Sequence, residues 1–241
     1  MSLPESEMGE SVAAPSLEAR VALPVAPVAH PLPAPGELAL GRSRVRVHAM
    51  GLALLLFLVP LLAYWPAIFH VFGLRDDYSN LRESHEELGK VLIFCASHAR
   101  PIYGWLLQSS YGLTPTVQAL EWMRLGAALL LGALSFLMCR GLLALGWSFG
   151  QSLCIALMLA LVPSAQVMAS WAVGWPYALT ALLAAGAFFV ADGPLQGLLR
   201  GEPGKTALPG LLSGLALMVV CALTYQPSAL FYLVPLGAGL I

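Results

Sequence analysis

Asp76, Asp77 and Tyr78 follow directly on the first long apolar run of the chain and head its one long polar stretch. Two neighbouring carboxylates at a partly dehydrated boundary repel each other, which raises the basicity of one and suits it to take a proton from a hydroxyl. Capping is the plainer use of the same residues. Aspartate is favoured at a helix start, where it accepts from free backbone N–H groups and meets the positive end of the helix. A divalent cation would need more oxygen donors than this pair supplies.

Further on, His98-Ala99-Arg100-Pro101-Ile102-Tyr103-Gly104-Trp105 leads back into apolar sequence. Pro101 restricts Arg100 to extended geometry and so ends the preceding helix. An arginine on that bend has the forked donors that grip a phosphate, and it serves equally as a headgroup anchor beside the aromatic Tyr103 and Trp105. Lys90 adds a cation in the same stretch, while His85 and His98 read as ordinary polar loop residues. Tyr225-Gln226-Pro227 breaks the chain after a later apolar run. Its amide is free for a sugar or phosphate, or the triplet is simply a turn punctuated by proline. Trp171 and Trp175 flank a charge-free hairpin and either stack on a sugar or join an aromatic belt.

The frame that must hold these residues is membranous. The chain is 59% hydrophobic and 10% charged, against about 25% charged for a water-soluble domain, and its mean hydropathy is +0.78. No basic stripe exists to neutralise a row of phosphates, so nucleic acid is not an expected partner. Cys139, Cys154 and Cys221 fall in apolar segments and Cys95 has no evident mate, so neither a disulfide framework nor a zinc site is expected.

Arg42, Arg44, Arg46 and His48 precede a charge-free run over 49–72. A helix needs roughly 20 apolar residues to cross a bilayer, and the basic cluster places the N-terminus in the cytoplasm. Pro60 and Pro66 are expected to kink this first span. Further spans are expected over 122–145, 149–170, 175–191 and 208–224, and a sixth opens near Ser228. Arg140, Arg200 and Lys205 then fall in cytoplasmic turns, consistent with one orientation. Residues 1–41, rich in Pro and Ala, read as a disordered cytoplasmic tail ahead of a transmembrane domain over 42–241. The stretch 73–118 is the first external loop, and 79–96 within it reads as one amphipathic interfacial helix, apolar along Leu81, Leu88, Leu92 and Cys95 and charged along Arg82, Glu83, Glu86 and Lys90. Gly126, Leu130 and Ala133 suit close helix packing. The expected fold is an all-α polytopic membrane protein of about six helices. Because the last run stops at Ile241 in apolar sequence, a longer parent chain is also expected.

An acidic pair after the first span, an interfacial helix, an Arg-Pro return and a Tyr-Gln pair outside a later span resemble the polytopic GT-C glycosyltransferases, over roughly 45–241. The nearest likeness is to bacterial GtrII-type enzymes that modify surface polysaccharide. The resemblance implies transfer of a sugar from a polyprenyl-phosphate donor to a polysaccharide or lipid-linked acceptor on the periplasmic side of the inner membrane. It implies Asp77 or Asp76 as base, Arg100 as donor-phosphate contact, and Tyr225 with Gln226 in the substrate cavity. Lys90, from charge and position, joins Arg100, and Tyr78 and Tyr103 join the cavity. No metal and no cofactor is implied. Two other readings remain: a non-catalytic scaffold or assembly subunit, and a secondary transporter, which would place ionisable groups at mid-membrane.

Overall fold

The computed structural model describes residues 35–201, 204 and 207–240, with side chains from residue 49 onward. The chain divides into two compact units, Met1–Arg42 and Ser43–Ile241, and everything below concerns the second. Of the tail expected over 1–41, residues 1–34 lie outside the described residues, and helix α1 (Pro35–Ala63) begins within the remainder.

All regular structure among the described residues is helical, and proline marks several of the breaks. Helices α2 (Trp65–Phe69) and α5 (Pro101–Gly112) open on a proline, as do α8 (Pro163–Ser170), α9 (Trp175–Leu199) and α11 (Gln226–Ala229). At a first turn proline's missing N–H is no loss and its fixed φ suits the helix. Between them lie α3 (Arg75–Glu86), α4 (Lys90–Ser97), α6 (Glu121–Ala144), α7 (Phe149–Leu161), α10 (Ala207–Thr224) and α12 (Leu233–Gly239). Helix α7 is capped by Ser148, whose Oγ accepts from the Gln151 N–H at 3.4 Å while the Gln151 side chain reaches back.

Three helical stretches are long and apolar enough to cross a membrane: Gln118–Ala144, Ala172–Leu199 and Ala207–Thr224. The pair α7 and α8, bent by 50° at the Val162–Pro163 junction, makes a fourth if it counts as one span. The expected six are therefore not all found. The first apolar run is cut at Tyr64 into Ala49–Ala63 and the short α2, and the sixth is broken by Pro227 and Pro235 into α11, a 3₁₀ turn and α12. Helix α9 instead runs past the expected end at Ala191, through Pro194.

Helix α9 packs between α6 and α10. Most of its buried positions are small, among them Ala178, Ala181, Ala184, Ala185 and Ala187, with Phe188 the large exception. Small side chains let helix axes approach closely, which is how membrane helices associate without a hydrophobic driving force. The expected stripe on α6 is shifted. A side chain at Gly126 would meet open space, whereas Gly132 presses on Phe57 and Gly141 faces the Phe189 ring.

The interfacial helix expected over 79–96 is two helices, α3 and α4. Gly89, at φ +86°, separates them in a conformation that glycine adopts freely. Helix α4 then folds back onto α5, where Gly104 lies against α4. A Cβ there would sit 2.6 Å from the Cys95 side chain and 3.1 Å from the Leu92 backbone. Gly104→Ala is therefore expected to force the pair apart and cost about 1–3 kcal/mol, read as a lower Tm of the detergent-purified protein. An unchanged Tm would show that the α4–α5 contact yields freely.

Candidate functional site

The two adjacent aspartates go to opposite environments. Asp77 is the third residue of α3 and is completely buried, at 0% exposure. Its Oδ2 accepts from the Leu74 backbone N–H at 2.9 Å, which caps the helix, and its Oδ1 accepts from the Tyr111 hydroxyl at 2.6 Å. Below it Arg124, 1% exposed, donates from Nη1 to the His70 carbonyl at 3.1 Å and from Nη2 to that of Phe72. Its guanidinium also lies 3.9 Å from the centre of the Phe72 ring. The Asp77 charge acts on Arg124 from nearby. Asp77 is thus a buried anchor tying α3 to α5 and to the top of α6. Fully buried, with each oxygen accepting from protein, it faces no cavity in this structure, which is at odds with its expected place as a base.

Asp76, one residue earlier, is exposed and lines a cavity of about 1020 Å³ together with Glu83, Lys90, Arg100, Tyr103 and Tyr177. The cavity lies among α3, α4, α5 and the start of α9. Val91, Phe94 and Leu107 give it apolar walls. Four expected residues from three helices and a bend therefore meet at one hollow.

The cations there are unequal. Lys90 Nζ stands 3.2 Å from Glu83 and 3.0 Å from Glu87, and these carboxylates raise the ammonium pKa. Lys90, expected to join Arg100 as a phosphate grip, lines the cavity already paired with these two carboxylates. Arg100 keeps its charge available. Its Nε donates to Gln226 Oε1 at 3.1 Å, and its guanidinium sits 4.9 Å from the centre of the Tyr225 ring. Its two terminal nitrogens donate to no described protein atom.

Tyr225 and Gln226 do not line the cavity but stand behind it. The Gln226 amide also donates to the Ala99 carbonyl at 3.0 Å. Tyr225 stacks on Tyr177 at 3.9 Å between ring centres, and Tyr177 on Tyr103 at 5.3 Å, so three tyrosines form a wall from α5 to the α10–α11 break. The Tyr103 hydroxyl meets that of Tyr177 at 2.9 Å and donates to the Val173 carbonyl at 3.2 Å. Tyr78, 52% exposed, turns away from the cavity towards Gly73, which removes it from the expected set. Trp171 and Trp175 pack against the core around Tyr103 rather than offering a sugar-stacking edge.

Sequence reading missed Tyr111, Tyr177 and above all Arg124. The signal for Arg124 was present: a charge inside an apolar run demands a partner, and such residues carry a structural or functional burden. No group of three or more His, Cys, Asp or Glu among the described residues is placed to hold a metal ion.

Burial, with the Asp77 charge second, pushes the Tyr111 phenol well above its ordinary value of 10.0, and burial does the same to Tyr103. The folded protein therefore keeps these protons where the unfolded chain releases them. Their contribution to stability is complete below about pH 10 and declines as pH rises beyond it. Tm measured from about pH 8 to pH 11 is expected to fall at the alkaline end, less steeply in Tyr111→Phe. Equal slopes would remove Tyr111 from this account.

The described residues thus form an all-helical protein with three or four helices long and apolar enough to cross a membrane, and a cavity in which charged side chains meet apolar walls. No protein-family model, curated protein or solved structure matches this chain.

Proposed function

We propose that this chain is a polytopic membrane glycosyltransferase of the GT-C kind, similar to the GtrII-type enzymes. It would move a sugar from a polyprenyl-phosphate donor to a polysaccharide or lipid-linked acceptor. The observation that carries this reading is the meeting of Asp76, Arg100 and Tyr103 at one cavity beside apolar helices. A carboxylate and an unspent guanidinium at one hollow suit the reaction. The Asp76 carboxylate takes the acceptor O–H proton as that oxygen bonds to the anomeric carbon. The bond from that carbon to the phosphate oxygen breaks, and Arg100 stabilises the charge left on the polyprenyl phosphate. The lipid tail, held among apolar surfaces, fixes the reacting centre in place.

In this reading the N-terminus is cytoplasmic, residues 73–118 are periplasmic, and the membrane is the bacterial inner membrane. Six crossings would require α1 with α2, and α11 with α12, each to act as one broken span beside the four apolar ones. The test is release of labelled sugar from a polyprenyl-phosphate-sugar donor by vesicles containing the full chain. A scaffold subunit would leave the donor intact, and a transporter would accumulate solute with the glycan unchanged.

A further inference from the structure

Helix α4 ends in a turn whose chemistry is unusual for its sequence. The Arg100 N–H bonds to the Cys95 carbonyl at 3.0 Å and the Ala99 N–H to that of Ala96 at 3.0 Å. This is the Schellman closure, in which the residue after the cap turns left-handed and is most often glycine. Here it is Ala99, at φ +59°, the single non-glycine residue with positive φ among those described. An alanine there resists the conformation, because its Cβ crowds the following carbonyl. Something outside the turn has to hold it.

Gln226 does so. It comes from the α10–α11 break, more than a hundred positions along the chain, and grips the turn twice: its amide donates to the Ala99 carbonyl and its oxygen accepts from Arg100 Nε. Tyr225, the residue before it, lies under the guanidinium face. One edge and one face of Arg100 are thereby occupied by protein, and the edge bearing the two terminal nitrogens is left for the cavity. That edge presents a paired N–H fork to a phosphate. We propose that Gln226 and Tyr225 are positioning residues, which hold the strained Ala99 turn and aim the Arg100 fork at an oxyanion carried by an amphiphilic ligand. This rests on the reading of Arg100 as the phosphate contact, and it differs from the expected role of both residues as cavity lining.

The test is equilibrium binding to the full chain in nanodiscs. The probe is a long-chain polyprenyl monophosphate, with the matching polyprenol as its uncharged control and Tm read in parallel. Gln226→Leu is expected to weaken the monophosphate about 10-fold, the usual reach of one lost polar contact, with polyprenol binding unchanged. Adding Ala99→Gly should recover a good part of that loss, because glycine accepts the left-handed turn without the clasp. Tyr225→Leu should weaken the monophosphate by roughly 3-fold, the scale of a cation–π contact. If Gln226→Leu does not fold, Gln226→Asn, one methylene too short to span both partners, replaces it. Unchanged affinity in the Gln226 variant alongside loss in Arg100→Ala would overturn the positioning role. A Gln226 loss that Ala99→Gly leaves untouched would overturn the part assigned to the Ala99 turn and leave the bond to Arg100 Nε as the positioning contact. Unchanged affinity in Arg100→Ala would instead remove the phosphate reading beneath it.

Discussion

Asp76→Asn is expected to reduce sugar transfer by about 100- to 10,000-fold, the range over which a positioned general base contributes. The side chain is exposed at the cavity and makes no hydrogen bond to described protein atoms, so the amide should leave Tm where it was. Binding of the polyprenyl phosphate should also persist, because the carboxylate is assigned to the acceptor and not to the donor. A variant that transfers sugar at the parent rate would take the base away from Asp76 and leave the cavity without an evident catalyst.

The neighbouring residue should respond in the opposite way. Asp77→Ala removes the acceptor for the Tyr111 hydroxyl and for the Leu74 N–H, and deprives the buried Arg124 of nearby negative charge. Breaking a buried charge cluster by deleting one member typically costs about 3–5 kcal/mol. Much of a membrane protein's folded yield would go with it, visible as a collapse of Tm and of the monodisperse peak in detergent. Asp77→Asn should fall between. It preserves shape and one acceptor, but it turns a donor towards either the Leu74 N–H or the Tyr111 hydroxyl. Wild-type stability in Asp77→Ala would mean that the anchor is dispensable. Two side chains adjacent in sequence thus separate into one that affects rate and one that affects folding.

That separation explains what could and could not be read from the sequence. The apolar runs of α6, α7, α9 and α10 were legible because a bilayer demands about 20 apolar residues in succession, and few other requirements produce them. Arg100 and Asp76 were legible as charged residues at the borders of the one long polar stretch between apolar runs. Which aspartate faces inward was not, since a helix turns about 100° per residue and only the packing partner decides the face. The partner was Tyr111, an aromatic residue that looked like any other in α5. The ion pairs of Lys90 were missed for a related reason, because Glu83 and Glu87, four residues apart, converge on it in space. Gly89 was overlooked inside a convincing amphipathic pattern, although its freedom at positive φ is what splits the helix. Tyr225 and Gln226 were found but assigned the wrong neighbour, since a turn tells little about what lies across it.

The alanine ladder of α9 carries a mechanical consequence. Alanine has no rotamers to lose when it packs, so the seams with α6 and α10 close tightly and without internal slack. A core so made has few ways to breathe. The pocket borders that core only at Val173 and Tyr177, and its α3–α4 side turns on Gly89, which takes a positive φ without strain.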